Sequence, residues 1–124
     1  MKNRVVVIED DKDILDMIDY ILENEGYIVN KFDHLVQIET LTQLEPSLIL
    51  LDNKLADGFG NTLCLLIKSL PTAKDIPVIL VSASSSLAQV AEKCMADGYL
   101  TKPFDIEDLL GIVKRHSNFT TDCC

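Results

Sequence analysis

The apolar run at residues 48–51, Leu-Ile-Leu-Leu, ends on the bare carboxylate of Asp52. Three other short apolar segments also run into polar side chains. Residues 5–8 lead into Glu9, Asp10 and Asp11, residues 78–81 into Ser82, and residues 98–101 into Lys102 and Pro103. Helix capping accounts for any one of these, and at Asp11 it is the preferred reading. It does not account for the set. Carboxylates gathered at one edge repel, and their pKa values rise unless a cation compensates. Acidic groups converging from two segments therefore suggest a hard metal ion with oxygen ligands, and Mg²⁺ is the expected occupant. A lysine and a hydroxyl beside such a centre suit a phosphoryl group, whose charge the metal and the ammonium neutralise. A carboxylate in the middle can be the acceptor, and Asp52 is the candidate.

For these side chains to meet, the segments carrying them must lie side by side. Residues 5–8, 48–51 and 78–81 are apolar at consecutive positions, as parallel strands covered on both faces require. Between them the period turns helical. Ile14, Ile18, Ile21 and Leu22 share a face after Asp11 or Asp13 as cap, while Asp16, Asp19 and Glu23 point away and Gly26 stops the helix. Residues 27–32 read as a second strand. Leu35, Ile38, Leu41 and Leu44 form a second helical stripe ended by Pro46, and Leu63, Leu66, Ile67 and Leu70 a third ended by Pro71. Leu87, Val90, Ala91 and Cys94 mark a fourth helix and Gly98 to Thr101 a short strand. Ile106, Leu109, Leu110 and Val113 form the last helix, with Lys114, Arg115 and His116 at its negative end. This (βα)₅ alternation with right-handed crossovers predicts an α/β, doubly wound parallel sheet of five strands between helices. Open sheets of this kind bind ligands beyond the carboxyl ends of their strands, where the polar residues above fall.

The 124 residues fit one domain, since domains commonly run to roughly 100–150 residues. Residues 3–117 are expected to form the core and 118–124 a C-terminal tail. The net charge is −9, from 20 acidic and 11 basic residues without a Lys or Arg cluster, which argues against direct nucleic-acid binding. The apolar runs are far shorter than the ~20 residues that cross a bilayer, and the acidic residues near the start do not suit a signal peptide. A cytoplasmic protein without membrane attachment is expected. Cys64, Cys94, Cys123 and Cys124 lack metal-ligand spacing and read as reduced thiols with no assigned function.

Four stretches, VVVIEDD, LILLDNKLADGFG, VILVSAS and GYLTKPF, stand in this order on that frame. Together they resemble the receiver domain of bacterial two-component response regulators, over roughly residues 3–117. The resemblance implies a flavodoxin-like fold with strand order 2-1-3-4-5, and a signalling module rather than an enzyme acting on a separate substrate. By resemblance Asp52 is the phosphoacceptor, Glu9 and Asp10 are the acidic pair that holds Mg²⁺ with it, and Lys54 offers its backbone carbonyl to the metal. Ser82 is the switch hydroxyl, Lys102 the phosphoryl-binding lysine, and Tyr99 the switch aromatic residue. No organic cofactor is implied. The implied donor is a histidine kinase or histidine phosphotransfer protein. The implied output is a downstream protein target, met by a stand-alone domain through the face of its fourth helix, fifth strand and fifth helix.

The sequence departs from the family pattern in places. Ala56 replaces the usual proline, which should loosen that loop. Ser82 replaces the commoner threonine. The segment from Ser82 to Lys102 is about two residues shorter than usual in the family, so the fourth helix is expected to start late or be partly irregular. Gly58 and Gly60 lack the spacing of a phosphate-binding loop and are read as serving a turn. An aspartyl phosphohydrolase commonly carries a second aspartate where this chain has Lys54. A flavin carrier would meet repulsion from the acidic strand ends and would find no Trp to stack on its ring.

Overall fold

In the computed structural model, which describes residues 3–55 and 57–117, five parallel strands alternate with five helices. They are β1 (Arg4–Ile8), α1 (Lys12–Asn24), β2 (Ile28–Phe32), α2 (Ile38–Leu44), β3 (Leu48–Asp52), α3 (Gly60–Ser69), β4 (Val78–Ser82), α4 (Leu87–Lys93), β5 (Gly98–Thr101) and α5 (Ile106–His116). The sheet order is β2-β1-β3-β4-β5, as expected. An antiparallel hairpin, Lys54–Leu55 against Gly58–Phe59, was not foreseen. Ala56 and residues 118–124, Cys123 and Cys124 among them, lie outside the described residues, so the expectations placed on that loop position and on the tail have no structural counterpart.

The consecutive apolar positions follow from two separate cores. Val5, Val7, Leu48, Leu50, Ile79, Val81 and Leu100 pack beneath α1 and α5. Val6, Ile8, Ile49, Leu51, Val78 and Leu80 pack beneath α2, α3 and α4. Each such side chain contributes about 1.5–3 kcal/mol by leaving water. Glu9, Asp52 and Lys102 continue the parity of Val7, Leu50 and Leu100, whereas Ser82 continues that of Leu80 on the opposite side.

Helix ends follow local chemistry. Asp11 caps α1, its carboxylate accepting from the N–H groups of Asp13 and Ile14 at 3.0 and 3.2 Å, and Gly26 ends that helix with φ +96°. Several expected faces differ. Leu35 precedes α2 instead of belonging to it, because the chain stays extended through Gln37, the residue at the N-cap. Leu66 and Ile106 are exposed, for α3 and α5 turn Cys64 and Ile112 inward instead. Asp19 does not face fully outward, since it turns toward β2 and pairs with Lys31 at 3.0 Å. The fourth helix starts only at Leu87 and holds for seven residues.

At the far end of β4 the Lys68 ammonium is nearly buried, 2.6 Å from Asp97 Oδ2, and donates to the carbonyls of Lys74 and Ile76 at 3.0 and 2.8 Å. Asp97 also accepts from the Val78 N–H at 2.8 Å. This clamp fixes the start of β4. Lys68→Met is expected to lower stability by about 1–3 kcal/mol, because two carbonyls and a carboxylate lose their donor. Urea denaturation reads the loss, and an unchanged midpoint would mean that water replaces the ammonium.

Candidate functional site

Parallel pairing brings the strand ends to one edge, and there a cavity of about 600 Å³ opens. Glu9, Asp10, Asp52, Lys54, Ser82 and Lys102 all line it. Glu9 and Asp52 are 2% and 5% exposed although both are acids, and Asp10 is exposed. One carboxylate oxygen from each of these residues lies within 4.8 Å of the others. The Lys102 ammonium answers part of this charge, 2.8 Å from Glu9 Oε1 and 3.5 Å from Asp52 Oδ2. Glu9 Oε2 accepts from the Asp11 N–H at 3.1 Å, and Asp52 Oδ1 from the Lys54 N–H at a longer 3.4 Å.

The electrostatics follow from this crowding. Burial pushes the Asp52 carboxyl up to about 7, and the adjacent Glu9 carboxylate acts in the same direction. Lys102 and the Lys54 N–H oppose them without cancelling the rise. Burial disfavours the charge on Lys102, but Glu9 and Asp52 outweigh it, and its pKa is held above the ordinary lysine value. More negative charge than Lys102 neutralises is thus gathered on oxygen ligands of the kind a hard divalent cation takes, and the acidic pocket fits Mg²⁺.

Ser82 is 6% exposed, and its Oγ accepts from the Ser84 N–H at 3.1 Å. The Ser82 carbonyl accepts from the Lys102 N–H at 2.9 Å, which ties the hydroxyl-bearing strand end to the lysine. Tyr99 is the predicted residue that does not join the cavity. It sits on β5 beside Leu80 with 45% of its surface exposed.

The sequence assigns no role to Asn53, whose backbone and side chain hold the loop after Asp52. It also gives no part to Phe59, exposed on the cavity rim. No local sequence signal points to Asn53, because the helix start it serves lies several residues away, at Phe59, which has no capping side chain of its own. Gly60 does serve close packing, because a Cβ there would collide with the Asp52 carbonyl.

Residues 5–114 match the family model described as the response regulator receiver domain. The DNA-binding dual master transcriptional regulator RpaA of Synechocystis sp. is 37% identical over 117 residues, covering 90% of this chain and 47% of that protein. The chain spans about half the length of the curated relatives it matches. Among solved structures, a CheY-like response regulator receiver domain protein from Methanospirillum hungatei JF-1 is 31% identical with a TM-score of 0.80, over 95% of both chains. The receiver domain of the sensor histidine kinase PA1611 from Pseudomonas aeruginosa PAO1, described with a magnesium ion coordinated in its active site cleft, has a TM-score of 0.81. That match covers 94% of this chain and 98% of the other, and at 23% identity it bears on the fold alone.

Proposed function

The chain belongs to the response regulator receiver-domain family, and we propose that it is the phosphoacceptor module of a two-component phosphorelay, with Asp52 as the acceptor. The observation that carries this reading is the meeting of the Glu9, Asp10 and Asp52 carboxylates, within 4.8 Å of one another, with the Lys102 ammonium 3.5 Å from Asp52. Glu9, Asp10, Asp52 and the Lys54 carbonyl would hold Mg²⁺, which supplies positive charge for the phosphoryl oxygens when bound.

In the reaction an Asp52 carboxylate oxygen attacks the phosphorus of a phosphohistidine on a histidine kinase or histidine phosphotransfer protein. The new O–P bond forms as the P–N bond breaks, and the freed imidazole takes up a proton. Lys102 holds a phosphoryl oxygen, and Ser82 donates its hydroxyl to another. The only chemistry assigned to the chain is its own phosphorylation and slow dephosphorylation. Mass spectrometry after mixing with a small-molecule phosphodonor and Mg²⁺ tests the assignment, which requires one labile phosphoryl group on Asp52.

Lys54 is exposed on the rim two residues beyond the acceptor, and its side chain is long enough to cover a phosphoryl group. Ser84 also lines the cavity, but it is too short to orient an attacking water. Self-dephosphorylation is therefore slow, and Lys54→Ala and Lys54→Asn should each accelerate phosphoryl loss several-fold. Unchanged or slower loss in both variants would remove Lys54 from this role.

Output is assigned to the face of α4, β5 and α5. Once Asp52 carries a phosphoryl group, Ser82 moves toward it and vacates space that the Tyr99 ring enters from solvent. A partner that prefers the phosphorylated form must in turn stabilise that conformation. An NMR comparison with and without beryllofluoride should show shifts at Tyr99 and along residues 86–110 that Ser82→Ala suppresses. Shifts confined to the Asp52 loops would exclude this route. The target is taken to be a protein, in keeping with a net charge of −9. Among the described residues no helix is long and apolar enough to cross a membrane, and the module is assigned to the cytoplasm.

A further inference from the structure

The helix that follows the acceptor loop starts without a cap of its own. Phe59 holds the N-cap position of α3 with extended backbone and no side-chain hydrogen bond. Ser, Thr, Asn and Asp are favoured there because a side-chain oxygen must accept the first free N–H groups, and phenylalanine has none. Two of those donors are nevertheless satisfied, both by one residue well upstream. Asn53 Oδ1 accepts from the Asn61 N–H at 2.8 Å, and the Asn53 carbonyl accepts from the Gly60 N–H at 2.7 Å. The Asn53 N–H in turn donates to the Val81 carbonyl at 2.9 Å, which anchors the residue to β4.

The approach is close. A Cβ at Gly60 would collide with the Asp52 carbonyl, meet Leu51 Cγ at 2.9 Å and lie 3.2 Å from the Asn53 Cα. The first turn of α3 thus rests on the backbone that carries the acceptor. The next peptide belongs to Lys54, whose N–H reaches Asp52 Oδ1. With the cap supplied from position 53, residue 59 is free to place an exposed ring on the cavity rim.

We propose that Asn53 is a positioning residue, its carboxamide capping α3 in place of Phe59 and so tying the Asp52–Lys54 loop to that helix. Its consequence for Mg²⁺ rests on the function proposed above, whereas its capping role does not. The asparagine does not touch the phosphoryl group. It acts through Lys54 and Asp52, whose geometry loosens when the tie is cut.

The experiment compares wild type, Asn53→Leu and the double variant Asn53→Leu/Phe59→Ser by amide hydrogen exchange, urea denaturation and Mg²⁺ titration followed by NMR. Leucine keeps the bulk and removes the acceptor, while serine at 59 restores an acceptor at the ordinary N-cap. Asn53→Leu should speed exchange at Asn61 and lower the folding equilibrium constant by about five- to tenfold, the usual effect of a lost cap. It should also speed exchange at Lys54 and weaken Mg²⁺ binding several-fold. The double variant should regain Asn61 protection and stability to within about twofold, yet keep fast exchange at Lys54 and weak Mg²⁺ binding. Unchanged protection at Asn61 in Asn53→Leu would overturn the cap. Recovery of Lys54 and Mg²⁺ binding in the double variant would leave Asn53 a merely structural role. If wild type itself bound no Mg²⁺, the proposed function would fall, and the exchange pattern at Asn61 and Lys54 would still decide for or against Asn53.

Discussion

Asp52→Asn is expected to abolish phosphoryl uptake and at the same time to stabilise the fold at neutral pH. The first effect follows from replacing the proposed nucleophile, the Asp52 carboxylate, by an amide, while Glu9 and Lys102 stay where they are. EDTA should match it in the wild type, because a dianionic donor cannot approach this acidic edge without added positive charge. The second effect follows from the raised pKa of Asp52, from 3.8 to about 7. Between those values the folded protein binds more protons than the unfolded chain, so this group's contribution to stability falls as pH rises from about 4 to about 7. An amide does not ionise. The variant should therefore be more stable than wild type by about 2–4 kcal/mol at pH 8, with the gap closing toward pH 4. Mass spectrometry reads the first effect and urea denaturation at several pH values the second. Uptake at the wild-type rate in Asp52→Asn, or in the presence of EDTA, would dismiss the acceptor assignment. A variant less stable than wild type at pH 8 would show that the buried charge is better compensated than the Lys102 contact alone allows.

The fold was legible because consecutive Val, Ile and Leu residues in the strands leave no polar face, so both faces of the sheet must be covered. From that, the meeting of Glu9, Asp52, Ser82 and Lys102 at one edge follows directly, and the cavity they line is where a parallel sheet puts it. Helix faces were less legible where a short helix offers several apolar choices. In α3 the sequence allows Leu63, Leu66 and Ile67 or Leu63, Cys64 and Ile67 to turn inward, and packing on β4 selects the second set. Asp19 was misplaced for a different reason, since its partner Lys31 comes from β2 and no helical period announces it. The role of Asn53 was hidden in the same way, because its bonds reach across eight residues to a helix start that lacks a cap. The Lys54–Leu55 and Gly58–Phe59 hairpin is too short to show any alternation, and only the close approach of Gly60 to Asp52 hints at how tightly that loop turns.

Lys102→Met separates the two roles that a cation plays in this cavity, and the two measured effects should have opposite signs. The ammonium lies nearer Glu9, at 2.8 Å, than Asp52, at 3.5 Å, so in the resting protein it mainly offsets the acidic pair. A second cation entering the same carboxylate set is repelled by it. With the ammonium gone, Mg²⁺ should bind roughly tenfold more tightly, as expected for a unit charge removed within several ångströms of the ion in a cavity open to water, where the interaction is worth about 1–2 kcal/mol. Phosphoryl transfer should nevertheless slow by about 10²–10³-fold, because charge that builds on the phosphoryl oxygens loses a donor already held in place. Calorimetric Mg²⁺ titration and the phosphorylation rate at saturating Mg²⁺ give the two numbers on one sample. Weaker Mg²⁺ binding with an unchanged rate would mean that Lys102 only props the Glu9 carboxylate in position. Tighter binding with a slower rate would mean that the lysine is directed at the transferred group, with its contact to Glu9 being the resting state of that same side chain.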